Sequence, residues 1–359
     1  MSENKTIRRY SHRGRLTQLP IYFGKLLRSF IYQNDWKVLP MSAVIAALIS
    51  MVIRNSFHVD MEGTLRGAFA LSCVAIWNGC FNSIQSVCRE RDILKREHRS
   101  GLHVSSYIVS HMLYQALLCM AQSGLTVYVL KMLGVRLSGD GLFTPWLAVD
   151  IGITLFLLSY ASDMLSLLIS CIARTTTAAM TVMPFLLIFQ LVFSGGFFSL
   201  PGWAVKISPY TISNPGMTCI CAQADYNSLP TSTAWNTLAR IQNNEMSGTV
   251  TVDQIAEVLN KVVDDTNPVS DVLFMAQLDP AISETEVSYT FTLRDIIDVF
   301  GRDKVKAGVV ESTAATMRKP AYEHTDAVVY EQWLKLIAFS LAYAGLAMVS
   351  LKFIDKDKR

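Results

Sequence analysis

A dense run of ionisable side chains, Cys88-Arg-Glu-Arg-Asp-Ile-Leu-Lys-Arg-Glu-His-Arg-Ser-Gly101, holds five basic and three acidic residues. It predicts a short charged helix closed by Gly101, with Ile93 and Leu94 as its apolar contacts. No nucleophile is paired with a base there, so the chemistry it offers is recognition, as a docking knob for a partner at a membrane surface. The alternative is a solvated loop whose charges only enforce orientation.

Catalytic signatures are sparse. The chain has no Gly-x-x-x-x-Gly-Lys-Ser/Thr loop to cradle phosphates and no Gly-x-Ser-x-Gly elbow. Its histidines (His12, His58, His98, His103, His111, His324) show no metal-ligand spacing, so no metal site is expected. Two carboxylates fall inside apolar runs, Asp150 and Asp163. On one helix they stand roughly 20 Å apart, too far for paired acid-base work. Asp163, beside Ser162 and Ser166, either lines a polar route or bonds a neighbouring helix, and His111, Gln115 and Gln122 are read the same way. Five cysteines lie in or at apolar runs and read as packed thiols. Cys219 and Cys221 fall outside them and form a possible disulfide, with each other or across a two-fold axis.

The elements that position these groups follow from composition. Of 359 residues 51% are hydrophobic and only 17% charged, against about a quarter charged in ordinary soluble domains. Disorder is excluded as well. Six segments approach the roughly 20 apolar residues that a span requires: 38–53, 64–87, 104–130, 146–172, 177–199 and 333–351. Placing the N-terminus in the cytoplasm puts eighteen Lys and Arg on that side and three in the short loops opposite, so both termini are expected inside. The fold class expected is an all-α polytopic membrane protein: six transmembrane helices, an N-terminal interfacial helix, and a small α+β extracellular insertion between spans five and six.

Four regions result: 1–37, a cytoplasmic tail and interfacial helix; 38–199, spans one to five; 200–332, an extracellular lobe; and 333–359, span six with a cytoplasmic tail. In segment 21–32, Phe23, Leu26, Leu27, Phe30 and Ile31 form one stripe, with Lys25 and Arg28 opposite. Within the lobe, 249–259 can be laid over 290–300, each a short alternating strand entering a helix.

Residues 78–101, beginning Asn-Gly-Cys-Phe, resemble the membrane domain of ABC transporters of the G subfamily, where span two ends in a Glu-containing stretch followed by Arg-Glu and Gly. Phe193-Ser-Gly-Gly-Phe-Phe-Ser-Leu-Pro201, with Trp203 and Ser208-Pro209-Tyr210, is similar to that family's pattern at the outer end of span five. Leu102-His103 stands where an aromatic is usual, span three lacks a common Pro, and the loop beyond about 222 is longer than typical. The resemblance implies a permease subunit of a type-2 ABC exporter, paired with a second copy and with a separate ATPase subunit that binds ATP and Mg. Glu90, Ile93, Leu94, Arg96, Glu97 and Gly101 would form the coupling helix. Asn78 and Phe81 with Ile188 and Leu191 would line the substrate cavity, and Gly196 and Phe197 would form the extracellular gate.

The function expected is export of lipophilic or amphipathic cargo across a bacterial plasma membrane, without enzymatic chemistry or nucleic acid. The alternative is a non-transporting sensor or scaffold with a ligand-binding lobe. A polytopic enzyme working through Asp163 is a third class.

Overall fold

The computed structural model describes residues 14–32, 35–137, 139–195, 201–251 and 286–352. Its helices, in chain order, are α1 (Arg15–Tyr32), α2 (Val38–Ile53), α3 (Met61–Ser83), α4 (Ser86–Arg99), α5 (Val104–Met132), α6 (Leu147–Ile172) and α7 (Thr176–Val192). After these come α8 (Gly202–Val205), α9 (Ser213–Gln223) and α10 (Thr233–Ile241), then strands β1 (Glu245–Thr251) and β2 (Glu286–Thr292), then α11 (Leu293–Phe300), α12 (Arg302–Met317) and α13 (Asp326–Lys352).

Among the described residues, five helical stretches are long and apolar enough to cross a membrane: Asp35–Ile53, Met61–Arg99, Val104–Met132, Leu147–Ile172 and Asp326–Lys352. The fifth expected span appears as α7, an apolar helix of 17 residues. At 1.5 Å per residue it rises about 25 Å, short of the hydrocarbon core. The chain is a multi-pass, all-α membrane protein, with one small strand ribbon among the described residues.

Contacts divide the chain into two units, one made of Met1–Pro230 with Met317–Arg359 and the other of Thr231–Thr316. The division falls at Thr231 rather than at 200, because α9 packs on α3, α6 and α13. Helix α6 is the axis of the first unit, flanked by α3, α5, α9 and α13. Small residues let α3 approach it closely. Ser162 Oγ donates to the Ile76 carbonyl at 2.8 Å, and Cys80 Sγ lies 3.0 Å from Ser162 Oγ.

Asp150, in the first turn of α6, holds the preceding loop. It accepts from Phe143 N at 2.9 Å and from Thr144 N and Oγ1 at 3.1 and 2.8 Å. At the same end His58 and His324 place Nδ1 on carbonyls at the close of α9, His58 on Ala224, its C-cap, at 3.1 Å and His324 on Ala222 at 2.7 Å.

In the second unit β1 and β2 pair antiparallel, with Thr249 opposite Ser288. The two strands expected as separate copies therefore form one ribbon. β2 runs into α11 through a capping box made by Thr292 and Asp295. The helix expected after β1 falls within 252–285, outside the described residues.

Candidate functional site

Helix α4 begins where Ser170 Oγ accepts from the backbone N–H groups of Val87 and Cys88, both at 3.1 Å. Arg91 Nη1 donates to the carbonyls of Cys171 and Ala173 at 2.9 Å each, satisfying the C-terminal end of α6. The helix closes as expected at Gly101, whose φ of +104° suits glycine. Leu102 N–H reaches the Glu97 carbonyl at 3.0 Å and Gly101 N–H the His98 carbonyl at 3.1 Å, the paired bonds of a Schellman cap. Leu94 is buried beneath it. So α4 is rigidly fixed to the end of the bundle.

The coupling residues expected from the sequence sort onto two faces. Arg89, Asp92, Ile93, Arg96 and Arg99 are exposed, and their spacing of three and four puts them on one stripe. Glu90 and Glu97 turn inward to α1. There Lys25 Nζ lies 3.5 Å from Glu90 and 3.8 Å from Glu97, and the Tyr22 hydroxyl donates to Glu97 at 3.0 Å. Burial, and then this bond to a carboxylate, push the Tyr22 hydroxyl well above its ordinary range, so it stays a donor.

Lys25 thus corrects the expected facing of α1. It joins the inner side with Tyr22 and Phe30, whose rings meet Tyr107 and Tyr114 of α5 edge-on at 6.0 and 6.2 Å. Leu27 and Ile31, on the apolar stripe expected to lie in the membrane interface, are exposed. Tyr22, Glu90 and Glu97 all lie within reach of the Lys25 ammonium.

The cavity residues separate as well. Phe81 is exposed and lies against Trp77 in a tilted arrangement, ring centroids 5.3 Å apart. Asn78 does not share that open side: it is buried, and its Nδ2 donates to Ser42 Oγ of α2 at 3.0 Å. On α7, Phe185, Ile188, Phe189 and Val192 form an exposed apolar stripe, and Leu191 sits half-buried beside it. Gly196 and Phe197 lie outside the described residues. Just before them α7 is tied down: Gln190 Oε1 accepts from Ile212 N at 2.8 Å, and Asn214 Nδ2 donates to the Ser194 carbonyl at 2.9 Å.

Asp163 is fully buried, and its carboxylate accepts from the Ser83 hydroxyl and, at 3.5 Å, from Cys119 Sγ. Its partners come from α3 and α5, so it joins three helices rather than opening onto solvent. Cys219 and Cys221 are free, buried thiols. Two residues apart on α9, they point to opposite sides of the helix and cannot bridge to each other. Full burial keeps them from a bridge across an axis.

The model of the family described as "ABC-2 type transporter" matches residues 5–219. The chain belongs to the ABC-2 type transporter family. The match runs from before α1 into α9, and the second unit lies beyond it. A protein of Mycobacterium tuberculosis described as an ABC transporter ATP-binding/permease protein is 32% identical over 136 residues. That stretch is 37% of this chain and 15% of the relative, so the chain spans far less than two thirds of it. This ABC-2 type chain is therefore an ABC transporter membrane domain.

Proposed function

We propose that the chain is the permease of an ATP-driven exporter of lipophilic or amphipathic cargo, with both termini cytoplasmic in a plasma membrane. ATP and Mg are bound and ATP is hydrolysed on a nucleotide-binding module outside these residues, and that module docks on α4. One observation carries the reading. The exposed face of α4 is a stripe of Arg89, Asp92, Ile93, Arg96 and Arg99, while its opposite face is bonded to α1 and α6. A force applied to that stripe moves rigid helices rather than a loop.

Two copies form the pore, with Phe81 of α3 and Ile188 of α7 facing it on exposed apolar surfaces. Gly196 and Phe197 keep the gate assignment that the resemblance gives them. Phe81 offers a flat apolar face to cargo.

The test is purification with the ATPase. Arg96→Glu together with Ile93→Asp is expected to abolish complex formation and cargo-stimulated ATP hydrolysis. If both persist at wild-type levels, the docking assignment is wrong.

A sensor or scaffold reading draws on the separate unit Thr231–Thr316. It predicts ligand binding that depends on that unit, without vectorial flux in vesicles.

A further inference from the structure

A cavity of about 300 Å³ opens among α1, α2, α3, α4, α5 and α7. That is the lower end of the range for small-molecule sites. Phe30, Phe81, Tyr114 and Met180 give it apolar and aromatic surface, interleaved with polar side chains such as Asn82, Gln85 and Arg89. Asp35 and Glu90 retain contact with solvent and mark its open side.

The inner wall is different. His111 and Gln115 of α5 are 2% and 1% exposed and both line the cavity. Neither ring nitrogen of His111 has a hydrogen-bond partner, and neither does Gln115 Oε1. Buried polar atoms are almost always paired, and leaving three unpaired in one wall is costly. A neutral imidazole presents one N–H donor and one acceptor nitrogen, and Gln115 Oε1 adds a second acceptor. The group that complements this set both donates and accepts over a short span, as a hydroxyl does.

Charge narrows the class. A carboxylate or phosphate would find its counter-charge at Arg89, which also lines the open side, and leave the inner atoms orphaned. A cation would find its counter-charge at Asp35, on the open side, and leave the inner atoms orphaned. We propose that this cavity binds an uncharged, hydroxyl-bearing amphipathic molecule, its hydroxyl pairing with His111 and Gln115 and its apolar part lying against Phe30 and Tyr114. Export is not assumed, because binding is measured without nucleotide and without an ATPase.

The full chain in phosphatidylcholine nanodiscs is titrated with a diazirine-bearing 1-monolauroylglycerol, photolysed, and the labelled peptides are sequenced. Saturable labelling of α1 and α5 is expected, competed by plain 1-monolauroylglycerol and at least tenfold less well by lauric acid or dodecylamine. Gln115→Leu and His111→Leu remove the polar atoms while keeping similar bulk. Each is expected to weaken binding at least tenfold without lowering the thermal transition, and Gln115→Leu alone decides if the His111 variant does not fold. Labelling that does not saturate, equal competition by dodecylamine or laurate, or binding indifferent to Gln115→Leu would overturn the proposal.

Discussion

Gly79 of α3 and Ser159 of α6 meet backbone to backbone: a Cβ on Gly79 would stand 2.1 Å from the Ser159 carbonyl oxygen. Neither atom is the end of a flexible chain, so a helix would have to shift. Gly79→Ala is expected to destabilise the bundle by about 1–3 kcal/mol or more. Gly124→Ala on α5 has open space around it and is expected to be neutral or stabilising by up to about 1 kcal/mol. Thermal unfolding of the two variants side by side checks the pair.

Lys25→Met removes the cation between Glu90 and Glu97. The lysine and Glu97 side chains are 39% and 34% exposed, so the cost in stability is expected to stay below about 1 kcal/mol. The larger effect is local. Amide hydrogen exchange in α1 is expected to quicken while α5 and α6 stay protected, and exchange in α1 unchanged from wild type would show that the ion pairs do not hold it.

Thiol chemistry tests the outer end of the bundle. Burial pushes the Cys221 thiol up to about 12 and Cys219 higher still, and only the thiolate is nucleophilic. At pH 8 the peptide spanning 213–223 is expected to remain unlabelled by maleimide in the folded protein and to gain two labels after unfolding without reductant. A disulfide would leave it unlabelled in both states.

An acid-sensitive cap lies in the second unit. Asp295 Oδ2 accepts from Thr292 N at 2.7 Å and from its hydroxyl at 2.8 Å. These bonds hold the carboxyl below the usual carboxylate range. A depressed folded-state pKa stabilises above the unfolded value of about 3.9 and loses that contribution as pH falls through the folded value. Protection of the first turn of α11 against exchange is expected to drop on acidification, and Asp295→Asn should flatten the profile.

The spans were legible because length and hydropathy are local properties: α2 and α6 lie within a residue of 38–53 and 146–172. Gly101 was legible too, since a glycine after a charged run marks a helix end. The facing of Lys25 was not, because its partners lie 65 and 72 positions away in sequence. Likewise Asp163 was visible beside Ser162 and Ser166, but its partners Ser83 and Cys119 belong to other helices. The short helix α9 was hidden in the large loop, being too brief to register as a span although it is buried along nearly its whole length. The orphaned atoms of His111 and Gln115 emerge only once their surroundings are fixed.

One asparagine stitches the chain together where it leaves and rejoins the bundle. Asn227 Nδ2 donates to the Lys319 carbonyl at 3.0 Å, and its Oδ1 accepts from Lys319 N at 3.0 Å. Departure and return are thus tied at neighbouring points, and the intervening stretch is inserted between them as a cassette. Evolution can lengthen, trim or exchange such a cassette without re-solving how the helices beneath it pack.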